Sequence, residues 1–292
     1  MRDSLVLSSA DTFNDDHEFL IGFDLERAAA NLSSNDDFIR KMSEKTKRTK
    51  TFAERYALLK SGKGKHLVTA FLTFLLTDFI KRIKTQVLLG CFSSDCCNPT
   101  MWAHYAGNGT GFVVGYDRQS IEKGFKNSGS YDVHNLICDV KYSNDAFDCT
   151  ETILGLIDCT AENESFFVDD YMNKFFENLD DSAFEFFFTK STQWSYEKEK
   201  RILVHNPSQR SAIHEEAIKL KPSAIIVGGK MSLANRYLIA SICKVKGIPL
   251  YQAENSFSSK EFRLGIRPVL SFEVDELINE FHDFLSLDGL VN

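Results

Sequence analysis

At 292 residues, with 43% hydrophobic and 26% charged side chains, the chain has an ordinary globular composition and enough length to bury a sizeable core. Its seven cysteines, an odd number with Cys96 and Cys97 adjacent, argue against a disulfide framework and fit reduced cytosolic thiols. Acidic residues between Met1 and Leu20 argue against a secretory signal, and the longest apolar run, Leu67 to Leu76, falls well short of the ~20 residues a membrane span requires. A cytoplasmic protein with no membrane partner is expected.

The net charge of −7 is unevenly spread. Residues 40 to 65 carry ten Lys and Arg against Glu44 and Glu54, a local balance of +8, while residues 144 to 186 carry twelve acids against Lys174 alone, a balance of −11. These segments read first as two solvated faces that attract one another, and second as a nucleic-acid-facing surface beside an acidic one. Phenylalanine is abundant, at 25 residues, and its cluster between Phe166 and Phe188 marks an aromatic packing layer.

In chain order, Leu5-Val6-Leu7 reads as a strand, and Asp11 to Asp16 as a turn, since Asn and Asp side chains bond their own backbone. Ser34-x-x-Asp37 has the form of a capping box that opens a helix toward Lys47. Helices follow over Thr51–Lys60 and His66–Lys84, broken by Gly62 and Gly64. In the second of these, Val68, Phe71, Leu75 and Phe79 share one face. Val87–Phe92, Gly111–Tyr116 and Leu136–Tyr142 read as strands. Ala146–Leu179 is helical by pattern, with a joint at Asn163–Ser165, and Ser182–Thr192 continues as a further helix. Lys200–His205 and Ala224–Val227 are strands, Ser232–Lys246 a helix, Leu250–Ala253 and Phe262–Leu264 late strands, and Val274–Leu285 a closing helix.

One stretch concentrates unusual residue types. Cys91 to Asp117, CFSSDCCNPTMWAHYAGNGTGFVVGYD, places Trp102, His104, Tyr105 and an Asn108-Gly109 loop between two apolar strands. Two core strands are expected to hold these residues at their shared end, as a rigid scaffold holds a functional loop. A second stretch is Trp194 to Arg201, WSYEKEKR. Glu197 and Glu199 read as alternating along the entry of a strand, so they share one face with Arg201 while Tyr196, Lys198 and Lys200 share the other.

These two stretches, with Phe13-Asn14-Asp15, resemble three motifs of the bacterial domain-of-unknown-function 2971 family: FNDPFE, MW-x-HYA with a following GF, and W-x-YE-x-E-x-R. The resemblance spans roughly residues 5 to 265. Asp16 stands where that family has proline, His17 where it has an aromatic residue before Glu18, and the family's tyrosine-rich opening segment is expected to be absent. The expected architecture is a single α+β domain over 1–292 with a mixed central sheet, a helical insertion over 146–192 and a C-terminal helical tail over 266–292.

Several chemistries are open to these residues. Cys91, Cys96, Cys97 and His104 lack the paired spacing of a zinc site, so no metal is expected. Gly228-Gly229-Lys230 lacks the spacing of a phosphate loop and reads as a tight connection. His104 reads either as a junction hydrogen bonder or as a catalytic group. Glu197 and Glu199 read either as a structural ion pair with Arg201 or as carboxylates that stabilise a cationic transition state. Their placement resembles that of ADP-ribosyltransferase-type enzymes, in which a late glutamate binds a ribose hydroxyl of NAD. That resemblance implies Trp102 or Tyr105 beside a nicotinamide, and His104 or Asn14 on a ribose or amide. The expected site is therefore Glu199, Glu197 and His104 as catalytic groups, with Asn14, Asp15, Trp102, Tyr105 and Arg201 binding NAD for ADP-ribosyl or glycosyl transfer. The alternatives are a non-catalytic interaction module of the phage-defence or toxin-accessory kind, with residues 40–65 on nucleic acid, and a metal-dependent nuclease using Asp15, Glu197 and Glu199.

Overall fold

A computed structural model describes residues 3–15, 18–19, 21–45, 50–128, 137–161, 185–205, 215–255, 260 and 262–287. The chain is an α+β protein whose longer strands fall into two sheets rather than one. The first has the order β10-β1-β3-β9-β5, from Glu215–Lys219, Ser4–Ser9, Val87–Ser93, Glu199–His205 and Cys138–Asp139, and every pairing in it is antiparallel. The second has the order β13-β12-β11-β4, from Leu264–Pro268, Leu250–Asn255, Ala224–Val227 and Phe112–Gly115. In it only β11 and β12 run parallel, joined by the helix Leu233–Lys246. The expected shared end of β3 and β4 is thus corrected: the two strands belong to different sheets, and the stretch between them spans the seam.

A helical layer covers one face of the first sheet. It consists of α1 (Leu25–Ser34), α2 (Asp36–Lys45), α3 (Phe52–Lys60) and α4 (Gly62–Gln86). Val68, Leu72, Phe79 and Ile83 of α4 pack with Leu89 of β3 and with Phe186, Phe187 and Phe188, so for these three phenylalanines the packing reading holds. The expected capping box at Ser34 is not formed. Ser34 ends α1 and bonds the Asn31 carbonyl, and the side chain of Asn35 accepts the Phe38 N–H to start α2. A capping box does form at Thr51 with Glu54, at the start of α3. On the opposite face, Ile121 and Phe125 of α6 (Arg118–Ser128) meet Leu7, Leu88, Ile202 and Val204.

The second sheet buries Ile225 and Val227 against Ile239, Ala240 and Cys243 of α8 (Leu233–Lys246) and Val274 of α9 (Ser271–Leu287). Its other face packs Ile226 and Ala253 against Trp102 and Ala106 at α5 (Pro99–Tyr105). Side chains alternate along a strand, so neighbouring residues of β11 serve opposite layers.

Sequence pattern misplaces several elements between residues 138 and 197. The expected strand to Tyr142 is broken at Val140 into β5 and β6 (Lys141–Ser143). Phe147–Asp148 forms β7, parallel to β2 (Ile21–Gly22), rather than the start of a helix; α7 occupies Thr150–Ala161, and the rest of the expected helix and its joint lie outside the described residues. The expected helix to Thr192 is instead a 3₁₀ turn, Glu185–Phe188, followed by β8 (Thr189–Ser191), which pairs in parallel with β6. The expected C-terminal tail begins in a strand, β13, and turns helical at Ser271.

Candidate functional site

β9 brings Arg201 into the face of the first sheet that the helical layer covers, and its guanidinium is fully buried. All five of its N–H donors are used. Nε donates to Glu199 Oε1 at 2.7 Å, and Nη2 donates to Glu199 Oε2 at 3.2 Å and Glu18 Oε2 at 3.0 Å. Nη1 donates to Glu18 Oε1 at 2.7 Å and to the Phe187 carbonyl at 2.8 Å. Two carboxylates therefore grip one planar fork bidentately, the geometry in which Arg pairs are strongest.

Lys190, on β8, completes the group. Its buried ammonium donates to Glu197 Oε2 at 2.7 Å and Glu199 Oε2 at 3.2 Å, and it lies 4.7 Å from the ring centroid of Trp194. A cation over an indole face is a favourable third contact. Three carboxylates, Glu18, Glu197 and Glu199, thus share two cations. Burial would lift the Glu199 carboxyl, but Arg201 and Lys190 outweigh it and hold Glu199 down to about 2. Burial likewise opposes the charge on Lys190, and Glu199 and Glu197 reverse that and keep it protonated. At Glu18 burial prevails and raises the carboxyl above its ordinary value.

Glu197 reaches this cluster by a route the sequence pattern misses. It does not lie on the strand but ends a 3₁₀ turn, Thr192–Glu197. Lys198 follows in the left-handed region at φ 45°, and β9 starts at Glu199. That single reversed residue, uncommon for a side chain with a Cβ, lets Glu197 and Glu199 face the same ammonium. Lys198 itself turns away to Asp95, at 2.8 Å.

From Glu197 the network climbs to the surface. Tyr105 Oη donates to Glu197 Oε1 at 2.5 Å, and the Asn14 amide lies 3.5 Å from the Tyr105 oxygen. Tyr105 is 52% exposed, and burial of its hydroxyl beside Glu197 raises it above its ordinary value, so it stays a neutral donor. Its ring continues a row: Tyr105 to His104 at 6.3 Å between centroids, His104 to Tyr196 at 5.8 Å and nearly parallel, Tyr196 to Trp194 at 6.0 Å. His104 is exposed, and Tyr196 and Trp194 are half-buried.

The expected site residues therefore divide. Asn14, Tyr105, Glu197, Glu199 and Arg201 form one connected network, and His104 joins it through ring contact. Asp15 is buried nearby, and its carbonyl accepts the Glu18 N–H at 3.1 Å. Trp102 is not a ring open to a ligand, because it is buried against Ile226 and Ala253 and its indole donates to the Cys96 carbonyl at 2.8 Å. The Asn108-Gly109 loop points to the second sheet, where Gly228 and Lys230 donate to the Gly111 and Gly109 carbonyls. A Cβ at Gly228 would lie 2.1 Å from the Gly109 carbonyl oxygen, so a close backbone approach accounts for that glycine, and the expected tight connection is what forms.

Sequence reasoning missed Lys190, Trp194 as a ring of the row, and Glu18 as the second carboxylate of Arg201. Among the described residues no group of three or more His, Cys, Asp or Glu is placed to hold a metal ion, and no helix is long and apolar enough to cross a membrane.

The molecule is thus an α+β protein in which a row of surface rings is linked through Tyr105 to an ion cluster buried against the first sheet. Residues 101–202 match the model of the family described as Protein of unknown function (DUF2971), the family its motifs resemble. That span holds Trp102, His104 and Tyr105 of α5 with Lys190, Glu197, Glu199 and Arg201, whereas Asn14, Asp15 and Glu18 lie before it. No curated protein and no solved structure matches the chain.

Proposed function

We propose that the row Trp194, Tyr196, His104 and Tyr105 binds a flat, ring-bearing ligand of the nucleotide class, with NAD the first candidate. The buried cluster of Glu18, Arg201, Glu199 and Lys190 is the rigid floor of that site. The observation that carries the reading is the unbroken row of four rings ending on a half-exposed hydroxyl anchored to a buried carboxylate. Stacking on an aromatic side chain is worth about 1–3 kcal/mol per base. A sugar hydroxyl beside that base would meet the lone pairs of Tyr105 Oη and the amide of Asn14.

Glu199 suits the floor better than catalysis, since both its oxygens are engaged by Arg201 and Lys190. NAD-dependent ADP-ribosyl or glycosyl transfer is the second reading, and what favours it is the link from Glu197 through Tyr105 to the ligand side. In that reading Glu197 supplies the negative charge beside a developing oxocarbenium centre. The same engaged carboxylates speak against the nuclease alternative, because a divalent cation needs open oxygens. A non-catalytic module is compatible with ring binding alone.

Titration with NAD, ADP-ribose and nicotinamide mononucleotide, read by tryptophan fluorescence, tests the proposal. Binding is expected, weakened on the order of 5- to 100-fold by Tyr196→Ala or His104→Ala with an unchanged melting temperature. Release of nicotinamide over time then separates transfer from binding. A folded protein that binds none of the three overturns the reading.

A further inference from the structure

The loop from Ser94 to Asn98 joins the two sheets. Ser94 N–H donates to the Lys198 carbonyl at 3.2 Å, and Asn98 Nδ2 donates to the Tyr196 carbonyl at 2.7 Å. On the other side, Leu264 N–H of β13 donates to the Cys97 carbonyl at 3.0 Å. Asp95, buried at the centre, takes Lys198 at 2.8 Å and Arg263 at 2.7 Å. In the middle of this joint stand two adjacent free thiols, Cys96 exposed and Cys97 partly so, with their sulfurs 4.0 Å apart.

We propose that Cys96 and Cys97 are a modification site: a vicinal dithiol that low-molecular-weight disulfides oxidise to an eight-membered ring, with α5 as the element that responds. Three features carry this. The sulfurs already lie 4.0 Å apart. Adjacent Cα atoms are about 3.8 Å apart, below the roughly 4.4–6.8 Å usual for a bridged pair, so the bridge is strained and readily reduced, which is the labile, regulatory kind. The third feature is the peptide unit inside the ring, both of whose polar groups are already committed. Its carbonyl accepts the Trp102 indole N–H at 2.8 Å and its N–H donates to Asp95 Oδ1 at 3.0 Å. Closing the ring turns that peptide, so it loosens Trp102, the anchor of the helix that carries His104 and Tyr105.

The chemistry balances with oxidised glutathione as the disulfide. One Cys thiolate attacks a sulfur of glutathione disulfide, forms a mixed disulfide and releases one glutathione thiolate. The second Cys then displaces the other glutathione. Two electrons pass from the protein pair to the reagent, and the two thiol protons go to the two released glutathiones.

The full chain with Trp194→Phe, in which Trp102 is the remaining tryptophan, is equilibrated in glutathione buffers of increasing oxidation and then alkylated and mapped by mass. The peptide holding Cys96 and Cys97 is expected to lose two hydrogen masses, reversibly, in step with a change in Trp102 emission. Cys96→Ser and Cys97→Ser are expected to stop at a stable glutathione adduct with no such change. A wild-type pair that stays reduced, or that accumulates adducts instead of the ring, overturns the proposal, and so does ring closure with unaltered emission. None of these readouts depends on whether the ring row binds a nucleotide.

Discussion

Around Arg201 two cations and three carboxylates lie sealed inside the protein. Along α2 and α3 a comparable set, Arg40, Arg55 and Lys60 with Asp36, Asp37 and Glu44, lies at or near the surface. Arg40 lies between Asp37 and Glu44, about one helical turn from each, Lys60 pairs with Asp36, and Arg55 donates to the carbonyls of Ser43 and Lys50. Solvent-exposed pairs of this kind contribute about 0–1 kcal/mol each, because water and salt screen them. In the buried cluster neither cation can be removed without leaving carboxylates uncompensated in a medium that penalises them. The difference teaches that charge density along a sequence is a poor guide to where charge matters. The +8 segment is conspicuous and partly neutralised by its own neighbours, whereas the decisive charges are scattered.

The sharpest way to break that comparison is Arg201→Met. It is expected to cost about 3–5 kcal/mol in urea unfolding, because Glu18 and Glu199 stay buried without their shared cation. A loss below about 1 kcal/mol would mean that the cluster relaxes into water and differs little from the surface pairs.

Next in size is the acid limb of stability. Glu199 is held at about 2 in the folded protein, against 4.5 for an ordinary glutamate, which corresponds to on the order of 3 kcal/mol. A lowered carboxyl stabilises above its unfolded pKa and loses that contribution as pH falls, so stability should decline from about pH 4.5 toward pH 2. Glu18, raised by burial, acts with the opposite sign: its contribution is present below its ordinary pKa and lost as pH rises through its folded one. Glu199→Gln is expected to lower stability near neutrality and to flatten the decline, both measured by urea titration at a series of pH values. An unchanged slope would assign the acid limb to other carboxylates.

Trp102→Phe keeps the buried ring but removes the indole donor to Cys96, and is expected to cost about 1–2 kcal/mol in thermal melts. Tyr105→Phe leaves one Glu197 oxygen without its donor at a half-open position, for which about 1 kcal/mol is expected. The smallest effect belongs to the surface region. Arg40→Ala is expected to change stability by less than about 0.5 kcal/mol, and less still at high salt.

Elements with one dominant signal were legible in the sequence. β3 and β11 are short apolar runs, α4 has its face of Val68, Phe71, Leu75 and Phe79, and Ser232 caps α8 by accepting the Asn235 N–H. The start of α2 was misread because Ser34 and Asn35 are both competent caps, and the end of α1 decides between them. The path from residue 185 to 199 was hidden because short 3₁₀ turns and a left-handed lysine leave no periodic trace. Of the candidate site, the structure connects the motif residues Asn14, Tyr105, Glu197, Glu199 and Arg201 in one network. Lys190 was not legible, since a lysine among phenylalanines and threonines carries no local mark of being the shared cation.

The Glu18–Arg201 contact joins residues 183 positions apart, and β1 pairs with β10 across a similar distance. During synthesis, β1 and Glu18 leave the ribosome long before the segment that completes them. The first sheet is therefore completed only when β9 and β10 have emerged, and its ion cluster is a closing step that waits for Arg201. Such long-range closure makes folding slow relative to helical chains of the same size. It also leaves the early strand with an unpaired edge, and Glu18 without its guanidinium, throughout the interval when a nascent chain is most exposed to misassembly.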